Sequence, residues 1–374
     1  MYDVTSSYFE GARNACGKYG YNRDGKRGKL RIVVGLLTHG DGAPVSVEVF
    51  DGDTQDPKTV VSQIRKLAGR FGVLDVTFVG DRGMIKSAQI EQLGQEHFHY
   101  LTAITKTRIQ TLLNSGALQL EMFDEALCEV AVEGARYIPR RDPVRAAEIS
   151  AARRSKFQTL ERLAEKNTAY LEEHARAQAE VALRDVQARA ARLRVEHWVE
   201  ITGEERRVRL AQNPAALKDA GLLDGCYVLK TDVALALAGA DQLHARYHDL
   251  ARVERAFRTM KTGRPETRPV YVRAAAHARA RAFIVMLAYL LRREIETAWR
   301  ARDLTVEEAI AQLSALCAQE VFIGQKAGYL QVPQPREATR ELFEDCDVAP
   351  PETLPRRQST VATKRKLPAR RLQR

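Results

Sequence analysis

The order of chain signals over the first 105 residues constrains the fold more than any other feature. Met1–Thr5 has β character, and the Gly, Asn, Asp and Lys of Gly17–Gly28 read as a loop. Leu30–Thr38 and Val45–Phe50 are apolar runs separated by His-Gly-Asp-Gly-Ala-Pro, which predicts a hairpin. Asp56-Pro57 supplies an N-cap and a first-turn proline for a helix with Val60, Val61, Ile64 and Leu67 on one side. Val73–Val79 reads as a buried strand closed by Gly80-Asp81-Arg82-Gly83, followed by a short helix over Ser87–Leu93 and a strand over Tyr100–Ile104. The sequence therefore predicts an α/β fold, a mixed sheet flanked by helices. Ligands of such sheets gather at the carboxyl ends of strands, where Asp81 falls.

After Thr105 the composition changes. Residues 106 to 140 read as loops and short strands with a hairpin at Glu133-Gly134. Pro143 to about Arg194 is helical, with a thin apolar stripe of Leu160, Leu163, Tyr170 and Leu171 that fits a helical hairpin. His197–Leu210 and Cys226–Lys230 return to β character. The expected division is 1–105 as the first part of the sheet domain, 106–235 as an α+β insertion, 236–330 as its second part, and 331–374 as a basic, disordered tail. A helix from Arg273 to Arg300 carries Phe283–Leu291, apolar all round and expected to be buried against the sheet; Thr305 caps a third helix.

Tyr247–Lys261 carries two helical stripes. Leu250, Val253, Phe257 and Met260 form a core face, and Tyr247, Ala251, Glu254, Arg258 and Lys261 form a polar one. Asp241 reads as its start, and Gly263 with Pro265 as its stop.

Composition narrows the partner. Lys and Arg number 59 against 48 Asp and Glu, a formal charge of +11, which favours a polyanion. Five cysteines without Cys-x-x-Cys spacing indicate neither a disulfide framework nor a zinc site, and predict a reducing, cytoplasmic setting. Ala282–Leu291 is half the length of a membrane span, so no membrane is expected. The histidines, His244 and His248 among them, are read as lacking paired ligand spacing.

Asp3, Asp81 and Glu254 stand apart as two strand-borne carboxylates and one helix-borne carboxylate, the oxygen donors that a two-metal phosphoryl-transfer site needs. Their surroundings are Tyr2-Asp3-Val4-Thr5-Ser6, Gly80-Asp81-Arg82-Gly83-Met84, Leu223-Asp224-Gly225 with Leu229-Lys230-Thr231, and Tyr247 through Lys261. In this order they closely resemble bacterial insertion-sequence transposases of the DDE class, in the branch with a Tyr, Arg, Glu, Lys signature. The resemblance covers most of residues 1 to about 300. It implies an RNase H-like fold interrupted by an insertion. It also implies a metal triad at Asp3, Asp81 and Glu254, and DNA contacts at Tyr247 and Lys261. The Arg position of the signature falls on Leu250, and Arg258 is expected to take part of its phosphate-binding role.

The activity so implied is DNA transposition. Two Mg²⁺ ions, with Mn²⁺ as a substitute, serve nicking at transposon ends and then strand transfer of the 3′-hydroxyl to target DNA. The partner is double-stranded DNA, with a homodimer assembled on it. Two alternatives remain, a catalytically impaired DNA-binding remnant and an RNase H-like nuclease. Only Met1 and Tyr2 precede Asp3, so the sequence reading expects an amino-terminally truncated copy, with a mobile, cationic terminus beside the metal site and little sequence preference.

Overall fold

The computed structural model describes residues 1–21, 23, 25–72, 76–124, 128–262, 272–323 and 326–354. The expected residues 73–75, the stop at Gly263 and Pro265, and the basic end of the tail from 355 onward lie outside them. The chain divides into two compact units, 1–283 and 284–374.

The first unit opens with β1 (Tyr2–Tyr8), β2 (Arg31–Thr38), β3 (Pro44–Asp51), α1 (Asp56–Arg65), β4 (Thr77–Gly80), α2 (Ser87–Gln95) and β5 (His99–Ala103). It continues with α3 (Lys106–Asn114), β6 (Val130–Val132), β7 (Ala135–Arg141), α4 (Pro143–Glu173), α5 (Ala179–Leu193), β8 (Val199–Glu204), β9 (Arg207–Gln212), α6 (Pro214–Gly221) and β10 (Cys226–Thr231). Then come α7 (Ala240–His248), α8 (Leu250–Lys261) and α9 (Ala275–Ala298), which runs into the second unit.

Eight strands form one sheet in the order β3-β2-β1-β4-β5-β10-β7-β6. The hairpin pairs antiparallel, β1 pairs parallel with β4 and β4 with β5, and β10 returns antiparallel to β5. The first five strands thus have the RNase H-like arrangement expected, and three strands from the 106–235 stretch extend the same sheet. Side-chain alternation builds two cores from it. Tyr2, Val4, Phe78 and Tyr100 pack with Val60, Ile64 and Leu93 of α1 and α2 on one face. Val79 and Leu101 pack with Leu243 of α7 and Leu250 of α8 on the other.

The helical hairpin forms from α4 and α5. Its core of Leu160, Ala164 and Leu171 against Ala182, Val186 and Ala190 is completed by Trp198, Val199 and Val208 at the β8–β9 ribbon. The thin stripe suffices because both helices and the ribbon share one small core. Asp142 caps α4 by accepting from the Arg145 amide, with Pro143 in its first turn.

Several expectations are corrected. The Asp241–Lys261 helix is two helices, broken at Asp249, whose carboxylate pairs with Arg246 and Arg252 on either side. Gln55, not Asp56, is the cap residue of α1. The apolar stretch of α9 is not buried all round: Ile284 and Leu291 are 63% and 66% exposed, while Val285, Met286 and Tyr289 are buried. Burial follows one helical face, which a run of apolar residues cannot specify. The short helices α3 and α6 were not anticipated.

In the second unit, α10 (Val306–Ser314) has the capping box read at Thr305, with Glu308 returning to the Thr305 amide. β11 (Gln319–Ile323), β12 (Lys326–Gln331), α11 (Glu337–Asp345) and β13 (Thr353–Leu354) follow. Trp299, Val306, Ala309 and Leu342 form its core, and the Trp299 indole donates to the Leu342 carbonyl at 3.0 Å. Thus α11 lies within the stretch read as tail, anchored by the ion pairs of Arg302 with Asp345 and Glu341.

Candidate functional site

The site is built by strand register. In the parallel β1–β4 pair Tyr2 stands opposite Gly80. Tyr2 and Phe78 face α1 and α2, and a Cβ on Gly80 would meet Ile85 and Met84 of that same core. The next residue along each strand, Asp3 and Asp81, therefore turns to the face carrying α7 and α8. Beyond Gly80 the chain turns sharply, the Met84 amide donating to the Asp81 carbonyl and Gly83 taking φ +88°. Thr102 of β5 also donates to the Asp81 carbonyl. The turn leaves the Asp81 side chain at the exposed end of the sheet.

α8 lies on β1 with Val253, Phe257 and Met260 buried, which leaves Glu254 on its exposed side. Asp3, Asp81 and Glu254 share one electrostatic neighbourhood. Burial pushes the Asp3 carboxyl up to about 7; the Val4 amide, donating to it at 2.7 Å, opposes this, while the charges of Asp81 and Glu254 raise it further. Glu254 and Arg258 are one turn apart, yet among the described residues Glu254 forms no ion pair.

Tyr247, at the last turn of α7, donates its hydroxyl to Asp81 Oδ1 at 3.1 Å. Burial, with the adjacent Asp81 charge, raises its pKa well above the ordinary tyrosine value, so it remains a donor. Arg258 is exposed on α8, and Lys261 is half-buried in its last turn. At 1.5 Å per residue Lys261 lies about 10 Å from Glu254 along the helix. Leu250 is buried with Val79, Leu101 and Leu243 and belongs to the core.

Beside Asp81 a cleft is lined by Arg82, Lys106, Arg145, Tyr227, Tyr247 and His248. Of these the sequence pointed only to Tyr247 as a site residue, because the others come from five separate places: the turn after β4, α3, α4, β10 and the end of α7. His244 and His248 correct the histidine reading: they are one turn apart on α7 with Nε2 atoms 3.1 Å apart, and the Tyr227 hydroxyl touches His244 Nε2. Among the described residues no three His, Cys, Asp or Glu side chains form a ready chelating group.

The amino terminus also differs from expectation. The Met1 ammonium donates to the Thr38 carbonyl at 2.7 Å, β1 is paired with β2 from Tyr2 onward, and Tyr2 is fully buried. Burial lowers the Met1 amine to about 6, so near pH 7 it is largely neutral. It is tied to β2 and is not a strong cation beside Asp3.

Two motif segments prove structural. Asp224 Oδ1 accepts from Arg153 of α4 at 2.8 Å, both side chains mostly buried. Gly225 has φ +70°, and a Cβ there would stand 2.3 Å from the Asp142 carbonyl, so only glycine lets the start of α4 close on β10. The Lys230 ammonium sits 5.8 Å from the ring centres of both Tyr100 and Tyr137, and Thr231 donates to the Tyr100 carbonyl at 2.6 Å.

Residues 2–291, more than three quarters of the chain, match the family model described as a transposase DDE domain. Among curated proteins no match is found.

Proposed function

The chain belongs to the transposase DDE family, and from that premise we propose that Asp3, Asp81 and Glu254 are its catalytic, metal-binding carboxylates. The family is one of DNA phosphoryl transfer. The observation that supports the assignment is the β1–β4 register, which turns Asp3, near the start of β1, and Asp81, just past the end of β4, to the sheet face that carries the helix bearing Glu254.

The donor set fits a divalent cation. All three donors are hard carboxylate oxygens, and Asp3 holds its proton to unusually high pH because burial and two like charges disfavour ionisation. A cation relieves that cost. When bound, two Mg²⁺ ions, or Mn²⁺ in their place, would activate the attacking oxygen and stabilise the leaving oxygen in nicking at transposon ends and in strand transfer.

The chain's own residues set the conditions. Asp3 would give up its carboxyl proton when a divalent cation is held there. Tyr247 orients Asp81 through Oδ1 and leaves Oδ2 to a ligand; on DNA binding its hydroxyl is close enough to the cleft to turn to a phosphate. Arg258 and Lys261 extend from α8 as phosphate contacts, Lys261 too far along the helix to enter the carboxylate pocket. DNA enters as a duplex, and two copies assemble on it.

The test is Mg²⁺-dependent nicking and strand transfer on duplex DNA with the full chain. Metal-dependent nicking without joined products would favour a nuclease. No cleavage with retained DNA binding would favour a DNA-binding remnant.

A further inference from the structure

The helical hairpin carries charge that the catalytic reading does not use. On α4 the acids Glu161, Glu165 and Glu172 turn toward β9, where Glu172 pairs with Arg207 at 3.0 Å. Arg162 and Lys166 turn the other way, into a groove of about 470 Å³ between α4 and α5 that also receives Arg189 and Arg192. Its lone acid, Asp185, accepts from Asn167 at 3.1 Å. Among the described residues none of these four cations is ion-paired. Like charges from two packed helices repel, and a polyanion in the groove would reverse that cost.

Position makes the polyanion specific. α4 begins beside the catalytic cleft, where Arg145 lines the same wall as Arg82 and Tyr247. Arg162 and Lys166 lie 17 and 21 residues farther along one continuous helix, or about 26 and 32 Å at 1.5 Å per residue. Duplex DNA advances 3.4 Å per base pair, so the groove stands roughly seven to nine base pairs from the cleft.

We propose that the groove between α4 and α5 is a second DNA-backbone site, in which Arg162, Lys166, Arg189 and Arg192 hold duplex phosphates roughly seven to nine base pairs from the catalytic centre. This rests on the reading of the cleft as a DNA-binding active site. It makes α4 a spacer between chemistry and anchorage. The contact is to phosphates and carries no base specificity of its own.

The test uses the full chain with a synthetic DNA hairpin whose stem is about 5 base pairs and a duplex of about 20 base pairs, chosen to fall short of or to span both sites at 3.4 Å per pair, with binding read by fluorescence anisotropy over a salt series. Each phosphate contact contributes about −0.9 to the slope of log affinity against log salt. The wild type should therefore show a slope steeper by about two to four units on the long duplex than on the short one. Replacing all four cations with Gln should equalise the two slopes and weaken long-duplex binding at least about tenfold at moderate salt. A variant with Arg162, Arg189 and Arg192 changed to Lys should retain the long-duplex advantage, which separates lost charge from damaged folding. An unchanged slope in the Gln variant overturns the groove while leaving the cleft reading intact. Wild-type protein that binds neither duplex overturns both. Tighter binding of poly-glutamate than of the 20-base-pair duplex also overturns the proposal, pointing to a protein partner.

Discussion

The sheet end and the helical hairpin both gather like charges, by opposite means. At the sheet end three carboxylates share one electrostatic neighbourhood: Asp3 is largely buried and holds its proton to about pH 7. In the hairpin four cations stand on helix surfaces, three of them exposed and Arg189 half-buried. Buried like charges are costly one by one, and a compact, high-charge ligand is the efficient remedy. Exposed like charges cost little each and suit an extended, repeating ligand. The contrast predicts that single substitutions at the sheet end have large effects and that those among the surface cations have small ones.

The largest expected effect is on catalysis. Asp81→Asn and Glu254→Gln should each lower Mg²⁺-dependent cleavage by about a thousandfold or more, since a lost metal ligand removes several kcal/mol of transition-state stabilisation. DNA binding should persist in both. Cleavage near the wild-type level in either variant would remove that residue from the triad and blur the distinction between the two regions.

The next effect concerns pH. The folded Asp3 carboxyl, at about 7 against the ordinary 3.8, keeps a proton that the unfolded chain has lost. Between those values the native state binds more protons, so metal-free stability should fall as pH rises from about 4 to about 7. At 1.36 kcal/mol per pH unit the fall is at most about 4 kcal/mol. Denaturant unfolding in chelator at pH 5 and pH 8 measures about 2.6 kcal/mol of it, the part lost over the last two pH units. Asp3→Asn should flatten the profile, and Mg²⁺ should restore wild-type stability at pH 8. A wild-type profile already flat in chelator would show that Asp3 carries no such burden.

The junction between the two regions gives the third prediction. Gly225→Ala should destabilise by about 2–4 kcal/mol, combining a left-handed backbone with overpacking against α4. Asp224→Ala leaves Arg153 without its acid and should cost about 3 kcal/mol or more. Melting curves followed by both helical signal and tryptophan fluorescence would tell whether the hairpin loosens with the sheet. A Gly225→Ala protein that melts like the wild type would mean that α4 is not closed tightly on β10.

What could be read from the chain follows the same divide. The local settings of Asp81, at a turn that closes a strand, and of Asp3, within β character, were legible; their alignment was not, because it depends on the pairing of Tyr2 with Gly80, a contact between distant parts of the chain. Glu254 was legible from two stripes, although Tyr247 and Glu254 belong to different helices because the chain breaks at Asp249. The Asp224-Gly225 motif was visible, but its task is to close α4 on β10, which only packing reveals. The cationic groove was illegible for a stronger reason. Arg162 and Arg189 are far apart in sequence, and nothing local states which helix face meets which partner. Phe283–Leu291 failed likewise: nine consecutive apolar residues give no direction to the buried face.

The smallest expected effect sharpens the contrast at its edge. Lys261 belongs to the same helix as Glu254 but stands about 10 Å from it, so it should behave like a hairpin cation and not like the triad. Lys261→Ala should make the salt slope of duplex binding shallower by about 0.9 or less, one phosphate contact, and weaken affinity by less than about tenfold at moderate salt. Arg258→Ala should act similarly, and because the two side chains would bind separate phosphates, the double variant should shift the slope by close to the sum of the single changes. Anisotropy titrations over a salt series measure all three variants. A single variant that abolishes binding would place Lys261 or Arg258 in a desolvated contact at the chemistry itself, while slopes unchanged in the double variant would take this end of α8 off the DNA path.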